Sequence, residues 1–163
     1  MLFNKVGRLL MPLMACICLH TSAQSGDDQK KTDLSSIVQS RDYSFIAQSA
    51  TTNKGRTIQL GYGYDLKVMN DSLYVYLPYY GRAYTIAYAT NSDNGIQFSS
   101  HDFIYSADST KKQGWEINIK PKGVKVTAIY LSINSNGYCT VRINSNDRDP
   151  ISYYGTIKGG ASH

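Results

Sequence analysis

The stretch from Thr57 to Leu77, TIQLGYGYDLKVMNDSLYVYL, decides the fold class of this chain. In its first part every second residue is apolar, and the residues between them are polar or glycine. The apolar positions are Ile58, Leu60, Tyr62, Tyr64, Leu66 and Val68. This period of two predicts one long β-strand, Thr57 to Val68, with one buried and one solvated face. Gly61 and Gly63 fall on the solvated face and predict a bend, as the wall of a curved sheet requires.

The second part of the stretch predicts a hairpin partner for this strand. A strand that begins at Ser72 has an apolar face formed by Leu73, Val75 and Leu77. Asn70 and Asp71 form the connection, and both residue types tolerate the positive φ that a two-residue turn needs. The expected pairs are Val68 with Leu73, Leu66 with Val75, and Tyr64 with Leu77.

The same parity argument predicts a second hairpin nearer the C-terminus. Two alternating apolar runs meet across Ser135-Asn136-Gly137, and the glycine suits the left-handed position of a three-residue turn. The expected pairs are Ile133 with Cys139 and Leu131 with Val141. Cys139 then faces the core, and we interpret it as a small buried hydrophobe rather than a reactive thiol.

Further strand segments, separated by turn signals, bring the total to about ten strands. They are Tyr43 to Ser49, Tyr84 to Ala89, Gly95 to Ser99, Phe103 to Ser106, Trp115 to Lys120 and Ile151 to Ile157. Asp33 to Ser40 has a helical period but is too short for a parallel crossover. The chain is therefore predicted to be all-β, a single antiparallel meander that forms a lipocalin-like barrel or a two-sheet sandwich, with a short N-terminal helix. The barrel is favoured because an open meander would expose two sheet edges.

The N-terminus has the pattern of a secretory signal peptide. Lys5 and Arg8 precede an apolar run from Leu9 to Leu19, and small residues follow as far as Ala23. The run is too short to cross a bilayer as a helix, and no later stretch approaches its length, so we expect no transmembrane segment after signal cleavage. Leu13-Met14-Ala15-Cys16 is similar to a lipoprotein cleavage box, so lipid attachment through Cys16 is the alternative.

These features divide the chain into a signal peptide at residues 1–23, a flexible leader at 24–32 and a single β-rich domain at 33–163. We expect the protein to be exported, either to the periplasm or as a secreted protein. Without the signal, 15 basic and 12 acidic side chains remain, a net charge of +3. That charge is too small to indicate nucleic acid binding.

Few side chains inside the domain are suited to catalysis. His101 is its single internal histidine, and Glu116 is the single glutamate of the chain. No His or Cys set has metal-ligand spacing and no glycine-rich loop opens a helix, so we expect no metal, no cofactor and no enzymatic activity. The remaining catalytic hypothesis is a hydrolase that uses paired aspartates. Its candidates are Asp65, Asp71, Asp93, Asp102, Asp147 and Asp149.

Two aromatic segments contain the candidate ligand contacts of this tyrosine-rich chain. LPYYGRAYTIAY begins at Leu77 and ISYYGTI begins at Ile151, and each has two tyrosines before a glycine. A tyrosine offers apolar area and a hydroxyl, and the fork of Arg82 suits a carboxylate or phosphate. The candidate binding residues are Tyr79, Tyr80, Arg82, Tyr84, Tyr153 and Tyr154. The alternative is that both segments are turns that lock the fold.

These patterns favour a non-catalytic exported binding module for a small apolar or glycan ligand, held in a barrel or at its mouth. The alternative is a structural or interaction protein of the cell envelope that docks on an envelope protein. A binding module requires an open cavity beside Tyr79, Tyr80 and Arg82. An interaction protein requires a contiguous exposed aromatic patch.

Several short segments are similar to a known family. They are Pro78-Tyr79-Tyr80-Gly81-Arg82-Ala83-Tyr84, Gly95-Ile96-Gln97-Phe98, Gly114-Trp115, Asn136-Gly137-Tyr138 and Ile151-Ser152-Tyr153-Tyr154-Gly155. With these segments the chain resembles, from about Tyr43 to Ile157, a Bacteroidetes-type family of exported domains of unknown function. The LPY-aromatic-GRAY element is the specific part. The resemblance implies an exported β-rich domain, secreted or lipid-anchored, and it implies no activity, ligand or catalytic residue.

Overall fold

The computed structural model describes residues 34–84 and 95–160. The predicted signal peptide, the leader, Cys16 and all but the first residue of the predicted strand Tyr84 to Ala89 lie outside the described residues. Residues 34–40 are helical, as predicted. The strands are β1 (Asp42–Thr52), β2 (Thr57–Gln59), β3 (Asp65–Met69), β4 (Ser72–Pro78), β5 (Gly95–Ser100), β6 (Phe103–Ser109), β7 (Trp115–Pro121), β8 (Val126–Ile133), β9 (Tyr138–Ser145) and β10 (Ile151–Gly159).

The strands form one antiparallel sheet whose order is β5-β4-β3-β1-β10-β9-β8-β7-β6, with the short β2 pairing β1. Six of the eight neighbouring pairs in this order are consecutive in sequence. The exceptions are β3 with β1 and the first strand with the last, which pair along the length of β1. The prediction of an all-β antiparallel fold with a short N-terminal helix is confirmed. Among the described residues, no helix is long and apolar enough to cross a membrane.

The sheet is a nearly closed barrel because its two edge strands follow each other in the chain. His101 and Asp102 alone connect β5 to β6, a link that spans at most about 11 Å. In a flat sheet, eight strand spacings would separate these two strands by about 38 Å. The sheet must therefore curl until its edges meet. Residues 95–109 act as one bent strand that pairs first with β4 and then with β7.

One continuous cluster of apolar side chains fills the interior of this barrel. The cluster includes Leu34 and Val38 from the helix. The Tyr105 hydroxyl also donates a hydrogen bond to the Val38 carbonyl (3.4 Å). Cys139 belongs to the cluster and is almost completely buried, and this burial raises the pKa of its thiol. The interpretation of Cys139 as a buried hydrophobe is confirmed.

Both predicted hairpins have the predicted register. The observed pairs include Val68 with Leu73, Leu66 with Val75, Ile133 with Cys139, and Leu131 with Val141. Asn70 has a φ of 52° and Gly137 a φ of 80°, so both turns contain a residue in the left-handed region, although Asp71 does not adopt a positive φ. The predicted pair of Tyr64 with Leu77 is wrong, because the β3–β4 ladder ends at Asp65 and Tyr76.

The prediction of one unbroken strand from Thr57 to Val68 is wrong in its middle. The chain pairs with β1 as β2 and again as β3, and main-chain hydrogen bonds at Leu60 and Tyr64 extend both pairings, so that residues 61–63 leave the sheet. Gly63 has a φ of 94° and Tyr62 is fully exposed instead of facing the core. The glycines therefore mark an excursion from the sheet rather than a smooth bend. Leu60 and Tyr64 on either side of it still pack against the core, and Tyr62 is the alternating residue that does not.

Candidate functional site

Two irregular segments meet where β4 ends and β10 begins. Residues 79–84 follow β4, and residues 146–150 connect β9 to β10. An isolated antiparallel bridge joins Ala83 to Arg148. Main-chain hydrogen bonds flank it, from Tyr84 N to Asp147 O (2.8 Å) and from Asp149 N to Arg82 O (2.9 Å). This junction fixes the backbone of the predicted binding segment.

Tyr79 holds the junction together. Its hydroxyl lies 2.8 Å from the Arg82 carbonyl and 3.0 Å from the Asp149 carbonyl, so its single proton is shared between acceptors in both segments. The Tyr79 side chain lies against Gly81, and a Cβ at position 81 would collide with the Tyr79 hydroxyl. Burial, followed by the nearby charge of Asp149, raises the pKa of Tyr79 to about 12. Tyr79 is therefore a structural residue of the junction.

Arg148 and Asp147 form a buried polar pair behind Tyr79. Arg148 Nε lies 3.3 Å from Asp147 Oδ1, and the guanidinium carbon lies 4.8 Å from the centre of the Tyr79 ring. Arg148 Nη1 donates to the Gly95 carbonyl (2.9 Å), which ties the junction to the first residue of β5. Lys125 Nζ lies 3.7 Å from Asp147 Oδ2. The pair thus anchors the junction to the barrel wall.

An open cleft of about 290 Å³ lies beside this junction, between residues 80–82 and the β1–β2 turn. Tyr80, 43% exposed, lines the cleft together with three cationic residues, Lys54, Arg56 and Arg82. None of these three cations forms an ion pair with another described residue. Asp149 is the acidic residue of the cleft, and its Oδ1 accepts a hydrogen bond from the Tyr84 hydroxyl.

The second Tyr-Tyr-Gly segment lies in β10, where strand alternation sends its tyrosines to opposite faces. Tyr153 is 1% exposed and its hydroxyl donates to the Pro78 carbonyl (2.7 Å), and burial raises its pKa. Tyr154 is 46% exposed on the outer face and stacks on Tyr138. In both segments, the first tyrosine is structural and the second faces solvent.

The structure thus divides the predicted binding residues among different environments. Tyr80 and Arg82 lie together in the first cleft, and Tyr84 contacts it through Asp149. Tyr79 and Tyr153 pack inside the junction and the core, and Tyr154 lies in a second groove of about 630 Å³. Sequence reasoning missed Lys54, Arg56 and Tyr138. They lie within or directly after turns that are distant in sequence from the residues they meet, and the local signals are the glycines of those turns, Gly55 and Gly137.

Four of the six candidate aspartates, Asp65, Asp102, Asp147 and Asp149, contact a cation or a hydroxyl. Asp65 pairs with Lys67 (3.4 Å) and Asp102 with Lys122 (2.9 Å). These contacts give the paired-aspartate hydrolase no support, while Asp93 lies outside the described residues. Within 34–84 and 95–160, no group of three or more His, Cys, Asp or Glu could hold a metal ion.

Comparison with known proteins identifies the family of this chain. The model of a domain of unknown function, DUF4251, matches residues 25–157. A crystal structure of a DUF4251 family protein from Bacteroides eggerthii is similar, with a TM-score of 0.63 and 15% sequence identity over 80% of this chain and 88% of that one. At this identity the likeness concerns the fold alone. No curated protein matches the chain. This chain belongs to the DUF4251 family of domains of unknown function, and its resemblance to a Bacteroidetes-type family of such domains is confirmed.

Proposed function

We propose that this protein is a non-catalytic exported binding module and that the cleft beside Tyr80 and Arg82 takes a short acidic glycan. One observation carries the proposal: the cleft combines a half-exposed tyrosine ring with three cations that have no ion-pair partner among the described residues. The predicted signal peptide supports an exported location, where cell-surface glycans are accessible.

The charges of the cleft favour an anionic group on the ligand. Lys54, Arg56 and Arg82 outnumber the single carboxylate of Asp149, so the residues that line the cleft have a net positive charge. A bound carboxylate would offset the repulsion among the cations, and a guanidinium can bind it with two parallel hydrogen bonds. A purely apolar ligand would have to cover these charges without pairing them, which costs free energy. The glycan alternative is therefore preferred to the apolar one.

The shape and rigidity of the cleft favour a small ligand with both apolar and polar faces. A sugar ring has C–H groups on its face and hydroxyls at its edge, and Tyr80 offers apolar area beside charged donors. The walls are fixed before binding. Tyr79 and Gly81 lock residues 79–82, and in the β1–β2 turn Arg56 N donates to Thr52 Oγ1 (3.2 Å). Such preorganisation lowers the entropic cost of binding.

Titration calorimetry tests the proposal, with acidic oligosaccharides such as oligogalacturonate set against neutral oligosaccharides of equal length. We expect an acidic oligosaccharide to bind with an affinity that falls as salt rises. Arg82→Ala and Tyr80→Ala should each weaken binding by about tenfold or more. Arg142→Ala and Tyr130→Ala are matched controls, because they remove an exposed arginine and an exposed tyrosine from other parts of the barrel. Equal losses in the controls, or no binding of any acidic glycan, would contradict the proposal.

A second candidate function, an interaction protein of the cell envelope, is favoured by an aromatic patch on the outer face of β3–β5. Tyr64 stacks on Tyr76 with ring centres 5.7 Å apart, and Tyr74 meets His101 edge-on at 6.5 Å. Tyr74 and Tyr76 are exposed on the same face of β4. If this candidate is right, a Tyr74→Ser/Tyr76→Ser variant will lose co-purification with envelope proteins but keep glycan binding. Unchanged co-purification would remove it.

A further inference from the structure

A second groove lies on the outer face of the barrel, across β7–β10 and away from the cationic cleft. It measures about 630 Å³. Tyr138 and Tyr154 form its aromatic surface: their ring centres lie 5.8 Å apart and their planes differ by 8°. The rings are 43% and 46% exposed, although the apolar core lies on the other side of the same strands. The two stacked tyrosine rings thus make one apolar strip, formed by their edges and by the ring surface that the stack leaves open, and this strip contributes little to the core.

Two hydrogen-bonded turns form the walls of this groove. In the β6–β7 turn, Thr110 N donates to the Gly114 carbonyl (2.9 Å) and Gly114 N donates to Thr110 Oγ1 (3.0 Å). In the β8–β9 turn, Asn134 Oδ1 accepts from Asn136 N (2.9 Å) and Tyr138 N (3.0 Å). The two turns are packed closely, because a Cβ on Gly114 would collide with the Ile133 carbonyl. The groove is therefore built before any ligand arrives.

Polar groups of both kinds surround the aromatic strip. Glu116, the single glutamate of the chain, accepts a hydrogen bond from the Ser132 hydroxyl (2.7 Å) across the β7–β8 pair. Lys111 and Lys112 lie on the β6–β7 turn at the rim. The groove thus holds a carboxylate acceptor as well as ammonium and hydroxyl donors, so a neutral ligand with many hydroxyls can pair with groups of both kinds.

We infer that this groove is a second binding site and that its ligand is a neutral oligosaccharide. Such a ligand has apolar C–H faces to lie on the tyrosine strip, and its hydroxyls both donate and accept. It can donate to Glu116 and accept from the lysines without bringing a charge that either sign would oppose, while the Ser132 hydroxyl stays hydrogen-bonded to Glu116. The larger volume suits several linked sugar units, whereas the cationic cleft suits a short one. The site is independent of the proposed function, because it shares no residue with the cleft of Tyr80 and Arg82.

The test is titration calorimetry on the protein, purified after the cells that produce it have exported it. The probes are cello-, malto-, xylo- and manno-oligosaccharides. We expect at least one probe to bind. Tyr138→Ala and Tyr154→Ala should each weaken that binding by about tenfold or more, and Glu116→Gln by several-fold. Arg82→Ala, in the other cleft, and Tyr130→Ala, an exposed tyrosine outside both sites, should leave it unchanged.

Three results would overturn the inference: no binding of any of the four probes, an equal loss in Tyr130→Ala, or a loss in Arg82→Ala without one in Tyr154→Ala. The last result would place the sugar in the cationic cleft. Thermal melting of each variant checks that it folds. If a tyrosine variant unfolds, Glu116→Gln carries the test, because this side chain is exposed and outside the core.

Discussion

Adjacent tyrosines differ in their surroundings in this protein. In one pair they differ in the hydrogen bonds of the hydroxyl, and in the other pair they differ in the face of the sheet on which the side chain lies. Tyr79 donates to two carbonyls and packs against Gly81, whereas the hydroxyl of Tyr80 has no hydrogen-bond partner among the described residues. Tyr153 fills the core and Tyr154 faces outward. The consequence is that substitutions at neighbouring positions should separate stability from binding.

At Tyr79, replacement by phenylalanine should lower the free energy of unfolding by about 1–2 kcal/mol at pH 8, since the hydrogen bonds to both carbonyls are lost. The pKa of Tyr79 is raised from 10 to about 12, so the folded state holds the phenolic proton more tightly than the unfolded chain does. Its contribution is complete below pH 10 and is lost as the pH rises through 12. The difference between wild type and Tyr79→Phe should therefore shrink from pH 10 upward.

Urea unfolding followed by circular dichroism at pH 8 and pH 11 measures this difference. Tyr80→Phe is the matched control and should unfold like the wild type at pH 8. The assignment of Tyr79 fails if Tyr79→Phe is as stable as wild type at pH 8, or if the difference grows with pH.

Gly155 is a position where a methyl group should be enough to damage the fold. It pairs with Ala47 on β1, and a Cβ there would collide with the Ile46 carbonyl and meet the Phe45 ring at 3.0 Å. Backbone cannot move aside as a flexible side chain can, so Gly155→Ala should cost about 2–3 kcal/mol. Gly61→Ala is the control: no atom lies within 4 Å of its Cβ position, and its cost should stay under about 0.5 kcal/mol. Equal chemical denaturation midpoints for the two variants would contradict this account.

At the scale of secondary-structure elements, the two hairpins show which properties depend only on residues close together in the sequence. Their registers follow from the parity of the apolar positions and from residues that accept a left-handed turn, and both are observed. The stretch from Thr57 to Val68 fails the same reasoning, since alternation continues through residues 60–64 while Gly63 takes the chain out of the sheet. An alternating pattern is necessary for a half-buried strand but does not show where the chain can leave it.

The β3–β4 turn gives a test at this scale. Asn70 has a φ of 52°, which a β-branched residue adopts only with strain, so Asn70→Val should destabilise the protein by about 1–2 kcal/mol. Asn70→Gly should be neutral or stabilising, because glycine reaches this region freely. Asp71→Val is the matched control, since Asp71 does not have a positive φ. Denaturant unfolding of the three variants decides, and a larger loss in Asp71→Val than in Asn70→Val would refute the turn assignment.

For the whole molecule, closure depends on long-range anchors at the barrel end. Arg148 connects the β9–β10 loop to the first residue of β5 and lies over the Tyr79 ring. Arg148→Ala would remove the arginine that pairs with the buried Asp147, so we expect the free energy of unfolding to fall by about 3 kcal/mol. The amides of β5 should also exchange faster in hydrogen–deuterium exchange, because β5 pairs with a strand on one side only.

Arg142→Ala, which removes an exposed arginine from β9, is the control for this variant and should change stability by less than about 0.5 kcal/mol. If Arg148→Ala and Arg142→Ala unfold at the same denaturant concentration, Arg148 is not an anchor. An unchanged exchange rate in β5, together with a large loss of stability, would place its role elsewhere in the junction.

By itself, the sequence determined the fold class, the short helix, the two hairpin registers and the burial of Cys139. These properties depend on residues a few positions apart, where alternation and turn chemistry act directly. Only the tertiary structure decided that the sheet closes through residues 95–109, and that Lys54 and Arg56 lie beside Arg82 and Tyr138 beside Tyr154. These contacts join residues that are distant in sequence. The curvature of the whole sheet sets the distances between them, and a pattern of neighbouring residues does not determine that curvature.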